Sequence, residues 1–336
     1  MKYPKHAPNT DPLVAIIDRF EPSIIEKIQS VMPYKWRYLA ICEDTREARI
    51  KVLGNANIAL LMGAKLDDRL LKLAPKLKFI QKMGAGVDNI DIQYCMNNKI
   101  GVARLNAGNN IPVAEHTIMM MLAVTRGLMN LDNRTRKGEW DKELARGNSK
   151  QIYRKTVGII GLGAIGRQVA KLLRAFDTDI VYCDPIPAPA SLEQKLRLNR
   201  VSLSKLLTIS DIVTLHLPKN KETSLLIDKD KISLMKKGAI LINCARGGLV
   251  DESALAQALG NGRLFGAGID TFSTEPPENN PLISLGNVIL TPHCAGATFD
   301  NFSSIAERAI ENCSSFISNT PLPALDVVHD PRNIDF

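Results

Sequence analysis

The stretch Gly161-Leu162-Gly163-Ala164-Ile165-Gly166 constrains this chain more than any other, because of what stands on either side of it. Before it, Thr156-Val157-Gly158-Ile159-Ile160 is a short β-branched run of the kind that forms a buried strand; after it, Val169-Ala170-Lys171-Leu172-Leu173 reads as a helix. In that setting the glycines allow a tight turn, close approach of a pyrophosphate to the backbone and close helix–sheet packing, and the helix N-terminus favours negative charge. Gly161, Gly163, Ala164, Ile165 and Gly166 are therefore candidate cofactor contacts. The competing reading is a glycine-rich turn without a ligand. The next strand ends Val181-Tyr182-Cys183-Asp184, a carboxylate about twenty positions beyond the glycines, where it would bind ribose hydroxyls and repel a 2′-phosphate. With no basic residue between Asp184 and Lys195, NAD(H) is favoured over NADP(H); a turn residue ahead of Pro185 is the alternative for Asp184.

Short apolar runs alternate with longer mixed segments through most of the chain, the pattern of βαβ units and a parallel sheet. Its 336 residues have room for two domains of about 100–200 residues each. The first half predicts strands at 13–17, 38–42, 58–62, 79–83 and 101–104 and a helix at 22–31. The second predicts strands at 156–160, 179–183, 212–217, 239–243 and 288–290. Between them Pro112, suited to the first turn of a helix, opens a segment to Val124 that is apolar on nearly all sides and reads as buried between domains or subunits. A helix over 300–317 and a proline-containing tail over 321–336 follow, the destination of both unreadable from pattern.

Composition excludes several classes. At 45% hydrophobic and 23% charged, with no extended biased tract, the chain does not read as disordered. Its apolar runs fall short of the about 20 residues that cross a bilayer, and its polar, proline-broken start lacks a signal-peptide core, so a cytoplasmic address and no membrane partner are expected. A net charge of +8 invites a nucleic-acid partner, but the 43 Lys and Arg are scattered among 35 acids, which reads as solvated surface with a modest attraction for anions. The six cysteines form no C-x-x-C and no Cys/His cluster in sequence, so no metal and reduced thiols are expected.

Polar groups gather where strands end: Asn243-Cys244-Ala245-Arg246-Gly247-Gly248, Gly268-Ile269-Asp270, Thr274-Glu275-Pro276-Pro277 and Thr291-Pro292-His293. Ligands of open parallel sheets collect beyond those carboxyl ends, so one cation, one imidazole and two carboxylates should converge there. Together with Met83-Gly84-Ala85-Gly86-Val87-Asp88-Asn89-Ile90-Asp91, Val113-Ala114-Glu115-His116 and Leu215-His216-Leu217-Pro218, this ordered set resembles the D-isomer-specific 2-hydroxyacid dehydrogenase family over nearly the whole chain. The resemblance implies that Arg246 grips the substrate, that His293 is the acid/base and that Glu275 pairs with it. It also implies that Asp270 borders the nicotinamide, with His216, Leu217, Pro218, Cys244, Ala245, Arg246 and His293 among the cofactor contacts.

Chemistry supports these roles independently. Reducing a 2-oxo acid needs a hydride at C2, a proton for the developing alkoxide and a cation for the carboxylate. An imidazolium at His293 donates the proton, the planar fork of Arg246 suits an oxygen pair, and a carboxylate at Glu275 would stabilise the imidazolium. Each has a structural competitor: an ion pair of Arg246 with Asp251 or Asp270, an ordinary capped His293, an exposed Glu275 in a proline-rich loop. The Gly84-Ala85-Gly86 turn, whose N–H groups can meet a carboxylate, is by resemblance the other half of the substrate site, against a plain strand-end turn. His116 reads as packed or hydrogen-bonded, and His6 and His329 as exposed near the termini. The 106–112 loop looks shorter than in several family members, so neither Asn109 nor Asn110 is assigned a contact. Cys294 stands where the family often has an aliphatic residue, as a reactive thiol or a small filler.

The expected architecture is α/β, two Rossmann-like parallel-sheet domains, one flavodoxin-like and one NAD-binding, with a substrate cleft between them. The substrate-binding domain would take 1–106 plus 293–336 and the NAD-binding domain 107–292, and family precedent implies a homodimer. The expected function is NAD(H)-dependent interconversion of a small 2-oxo acid and its D-2-hydroxy acid, glyoxylate or hydroxypyruvate first. 3-Phosphoglycerate oxidation is the runner-up, since Lys82 and Arg104 could face the cleft, although no regulatory domain follows the core. A non-enzymatic NAD-sensing scaffold, like the corepressors built on this fold, is the third reading.

Overall fold

The computed structural model describes residues 11–106 and 108–332, so His6, Ala107 and the last four residues of the tail lie outside the described residues. The chain divides into two compact units, one taking it up to Asn109 and again from Ala297, the other Asn110–Gly296. These bounds fall three to four residues beyond the expected 106/107 and 292/293 divisions. The helix Asn110–Arg126 already begins two residues ahead of Pro112. The Cys294 and Ala295 N–H groups bond to Asp270, which keeps 293–296 with the second unit.

In the first unit β1 (Leu13–Ile16), β2 (Arg37–Ala40), β3 (Ile58–Leu61), β4 (Phe79–Lys82) and β5 (Gly101–Ala103) pair in parallel in the order 2-1-3-4-5, the flavodoxin-like winding. In the second, β6 (Thr156–Ile160), β7 (Asp179–Cys183), β8 (Leu198–Arg200), β9 (Ile212–Leu215), β10 (Ile240–Asn243), β11 (Gly266–Ile269) and β12 (Val288–Leu290) are all parallel. Their order is β8-β7-β6-β9-β10-β11-β12, the doubly wound Rossmann order with one further strand. Winding reverses between β6 and β9, and that is where the glycine turn leaves β6.

Helices cover both faces of the second sheet, so β9, β10 and β11 are buried at every position and read as apolar runs rather than alternations. On one face Val113, Met120 and Val124 of the helix Asn110–Arg126 and Val169 and Leu173 of the helix Ala164–Leu173 pack with Val157, Ile159 and Tyr182. On the other, Leu206, Leu255 and Leu259 meet Val213, Leu241 and Ile269. The helix Asn110–Arg126 is not buried all round within the chain: Ile111, Met119 and Leu122 face outward.

Two strands lie outside the sequence expectations. Three-residue β8 is too short to carry a periodic signal. The tail supplies β13 (Val327–His329), antiparallel to β5, and so His329 is half-buried with its Nε2 enclosed, not exposed as its terminal position implied. Asp326, 2% exposed, fastens this tail. Its carboxylate accepts from the Asn106 N–H at 2.8 Å, from Asn312 at 3.2 Å and from Arg308 at 3.2 Å, and its carbonyl from the Arg104 N–H at 2.8 Å. Replacing Asp326 by Ala strands these donors. A loss of about 2–4 kcal/mol is expected, the figure for breaking a buried pair reduced because Arg308 is partly exposed. Urea denaturation of the full chain checks it, and a change under 0.5 kcal/mol (about the scatter of a neutral surface change) would refute the anchoring role.

Candidate active site

Parallel strands put every carboxyl end of the second sheet on one edge, and the sequence-predicted residues collect there. After β6, Gly161 has φ +90° and lies so close to the next connection that a Cβ would stand 2.4 Å from the His216 carbonyl oxygen. At Gly166 a Cβ would stand 2.2 Å from the Gly161 carbonyl oxygen. A Cβ at Gly163 would meet no protein atom within 4 Å. Gly163 caps the helix Ala164–Leu173 with no side chain on its first N–H groups, which leaves them for an anion. This cradle fits a dinucleotide pyrophosphate.

Asp184 directly follows β7 beside the cradle, its Oδ2 accepting from the Leu162 N–H at 2.7 Å and its Oδ1 from the Ile186 N–H at 2.9 Å. No basic residue lies between Asp184 and Lys195 along the sequence, but one approaches in space. Pairing of β7 with β8 brings up Arg200, whose Nη2 donates to the Asp184 carbonyl at 2.9 Å and the Pro185 carbonyl at 3.0 Å. His216 is buried, and burial alone pushes its imidazole down to about 3, so it is neutral. Its Nε2 meets Thr214 Oγ1 at 2.9 Å, and its Nδ1 has no partner among the described residues. Shape and backbone at 216–218, rather than a titrating ring, are what this loop offers.

After β10, the Asn243 side chain closes a turn, its Oδ1 accepting from the Ala245 N–H at 3.1 Å and its Nδ2 donating to the Arg246 carbonyl at 2.9 Å. The turn lies against the loop after β11, where no side chain fits at Gly247: a Cβ there would stand 1.6 Å from the Phe272 carbonyl oxygen. Arg246 is half-buried and donates to the Ala245 carbonyl at 2.7 Å.

Asp270, fully buried, organises the last segment. Its carboxylate accepts from Thr291 Oγ1 at 2.6 Å, the Cys294 N–H at 2.9 Å and the Ala295 N–H at 3.0 Å. The His293 N–H donates to its carbonyl at 2.8 Å, holding His293 at φ +52°. His293 Nδ1 then meets Glu275 Oε2 at 2.8 Å, while Glu275 Oε1 accepts from the Phe272 N–H at 3.0 Å. Burial pushes the Glu275 carboxyl up, but the His293 hydrogen bond, the Phe272 N–H and the charges of His293 and Arg246 outweigh it, so it sits below the ordinary carboxylate range. A dyad with Nδ1 engaged leaves Nε2 for a substrate, with Arg246 near enough to act on the same carboxylate.

Residues 118–295 match the description "D-isomer specific 2-hydroxyacid dehydrogenase, NAD binding domain". D-3-phosphoglycerate dehydrogenase of Mycobacterium tuberculosis is 36% identical over 288 residues, 85% of this chain and 53% of the relative. The protein of that name from Methanocaldococcus jannaschii is 39% identical over 256 residues, 76% of this chain and 48% of the relative. The chain belongs to the D-isomer-specific 2-hydroxyacid dehydrogenase family. It spans about half the length of these curated relatives. Among solved structures, a D-lactate dehydrogenase from Aquifex aeolicus complexed with NAD and lactic acid is 29% identical with a TM-score of 0.82, covering 94% of this chain and 98% of that one.

Burial, then the Asp270 charge, push the Cys294 thiol up, which makes it a packed filler rather than a reactive thiolate. His116 is hydrogen-bonded, its Nε2 3.2 Å from Thr291 Oγ1. The absence of a Cys/His cluster held along the sequence only, for the fold places ligand atoms of His116, Asp270 and Cys294 within 4.8 Å of one another. Arg200 and the organising role of Asp270 were missed; both depend on strand pairing.

The glycine geometry separates folding from cofactor binding. Gly166→Ala should cost about 1–3 kcal/mol of stability through overpacking. Gly163→Ala should leave the denaturation midpoint in place and weaken NADH binding tenfold or more, about 1.4 kcal/mol. Denaturation and fluorescence titration of both variants check this, and unchanged NADH affinity in Gly163→Ala would remove the pyrophosphate assignment.

Proposed function

We propose that this protein is an NAD(H)-dependent oxidoreductase interconverting a small 2-oxo acid and the D-2-hydroxy acid, with His293 as acid/base. The observation that carries this is the 2.8 Å His293–Glu275 pair, held next to Arg246 at the carboxyl edge of a sheet of the NAD-binding family. NAD(H), when bound, supplies or takes the hydride. Gly161, Gly163, Ala164, Ile165 and Gly166 would seat its pyrophosphate, Asp184 its ribose, and the 216–218 and 244–246 turns with Asp270 the remainder. Arg246 would orient the substrate carboxylate and polarise the carbonyl. His293 would deliver the proton from Nε2 in reduction and take it back in oxidation, Glu275 stabilising the charged ring meanwhile. In the first unit no described residue accepts from the Ala85 or Gly86 N–H groups, which supports the Gly84-Ala85-Gly86 turn as a carboxylate nest.

For the substrate, an unphosphorylated acid such as glyoxylate or hydroxypyruvate is proposed first. Lys82, 8% exposed, is bonded to the Met62 carbonyl and to Asn89 Oδ1, and Arg104 donates to the Ala85 carbonyl at 3.4 Å, contacts that support a substrate without a phosphate. 3-Phosphoglycerate is the second reading, favoured by the names of the curated relatives. NADH oxidation with the two oxo acids, and NAD reduction with 3-phosphoglycerate, decide between them. Turnover of none would leave the cofactor-sensing scaffold. Self-association is proposed through the outward apolar stripe Ile111, Met119 and Leu122, continued by Leu128 and Met129. No described helix is long and apolar enough to cross a membrane.

Glu275→Gln keeps the hydrogen-bonding shape and removes the charge that favours an imidazolium. The high-pH fall of the reduction rate should therefore move to lower pH, with a modest loss at the plateau. Rate–pH profiles of the two proteins check this, and superimposed profiles would refute the pairing as a functional one.

A further inference from the structure

The opposite edge of the second sheet, where β6, β9 and β10 begin, holds a cavity of about 730 Å³ that the proposed oxidoreductase chemistry does not use. It is separated from the glycine cradle by the length of the strands, roughly 13–16 Å at about 3.3 Å per residue. Its lining includes Arg126, Arg146, Lys150, Lys155 and Lys237 and a single acid, Asp211. That acid is already matched, its Oδ1 2.5 Å from Lys236 Nζ and its Oδ2 accepting from the Thr156 N–H at 3.0 Å. Arg146 pairs outward with Glu143 at 3.0 Å. Arg126, Lys150, Lys155 and Lys237 have no carboxylate within ion-pair distance among the described residues.

The cations feel one another. Burial, then the Lys155 charge, with Lys236 adding and Asp211 opposing, depress the Lys150 ammonium below its ordinary value. Lys150 is also fixed in place: its Nζ donates to the Gly238 carbonyl at 2.6 Å and stands 4.2 Å from the centre of the Phe265 ring. A concave site with a positioned ammonium, several unpaired cations and its only carboxylate neutralised repels itself until an anion enters.

We propose that this cavity is a second ligand site, distinct from the dinucleotide cradle, that binds a compact polyanion carrying two or more phosphate or carboxylate groups. Isothermal titration of the full chain with inorganic pyrophosphate, and in parallel with citrate, tests it. Expected is one site per chain for at least one probe, unaffected by saturating NADH and weakened by added salt. The affinity should fall tenfold or more in a Lys150→Gln, Lys155→Gln, Lys237→Gln variant whose NADH affinity is unchanged, which also controls for folding. Pyrophosphate alone would mark a phosphorylated ligand and citrate alone a polycarboxylate, each supporting the site. Binding of neither probe, equal affinity in the variant, or complete displacement by NADH would overturn it.

Discussion

One buried carboxylate carries the geometry of the candidate active site. Asp270 has no exposure, and a carboxyl group in that position must find its hydrogen-bond partners inside the protein. The donors it takes, Thr291 and the Cys294 and Ala295 N–H groups, all belong to the segment following β12. Satisfying Asp270 therefore bends that segment across the end of β11 and sets His293 in the left-handed backbone region, which a non-glycine residue occupies only when its surroundings impose it. The side chain so directed finds Glu275 at hydrogen-bond distance, and Glu275 is itself steadied by the Phe272 N–H. His293 is thus positioned by a chain of polar contacts rooted in the sheet, and its precision comes from the strands rather than from the loop.

How much of this was legible in the sequence follows from where each signal resides. The glycine turn, β6, β7, β9 and β10 were readable because glycine spacing and β-branched runs are local. Arg246, Glu275 and His293 were readable as strand-end polar groups, since a parallel sheet sends all its carboxyl ends to one edge. β13 was not, because three residues in a proline-containing tail have no periodicity and their place is set by Asp326, whose partners Asn106, Arg308 and Asn312 lie elsewhere in the sequence. Arg200 was invisible for the same reason: sixteen positions from Asp184 in sequence, it arrives through the register of β7 with β8. The helix Asn110–Arg126, expected to be buried between domains or subunits, meets its own chain on one side only. A segment without a polar face still leaves Ile111, Met119 and Leu122 outward when only one side meets the sheet.

The net charge of +8 gains a location from the structure. A parallel sheet flanked by helices is electrostatically polar. At the carboxyl edge helix N-termini point toward the ligand and backbone N–H groups alone can hold phosphate, which is why the glycine cradle needs no lysine. At the amino edge the helices end, their carbonyls point outward and the field has the opposite sign, so an anion there must be held by side chains.

Cations at that edge have a simpler use, which is to satisfy the last carbonyls of those helices. Arg263 serves in this way, its Nη2 donating to the Ser233 carbonyl at 2.7 Å and to that of Met235, at the end of the helix Lys229–Leu234. Lys236 neutralises Asp211, and Lys150 takes the Gly238 carbonyl of the turn leading into β10. Once these are assigned, Arg126, Lys155 and Lys237 still line the same cavity with no carboxylate within ion-pair distance among the described residues. Helix ends worth about half an elementary charge each do not balance that surplus within one turn. The surplus is greater than the fold requires for its own stability, and mutual repulsion makes it a cost to the protein alone. A bound polyanion is the arrangement under which it becomes favourable.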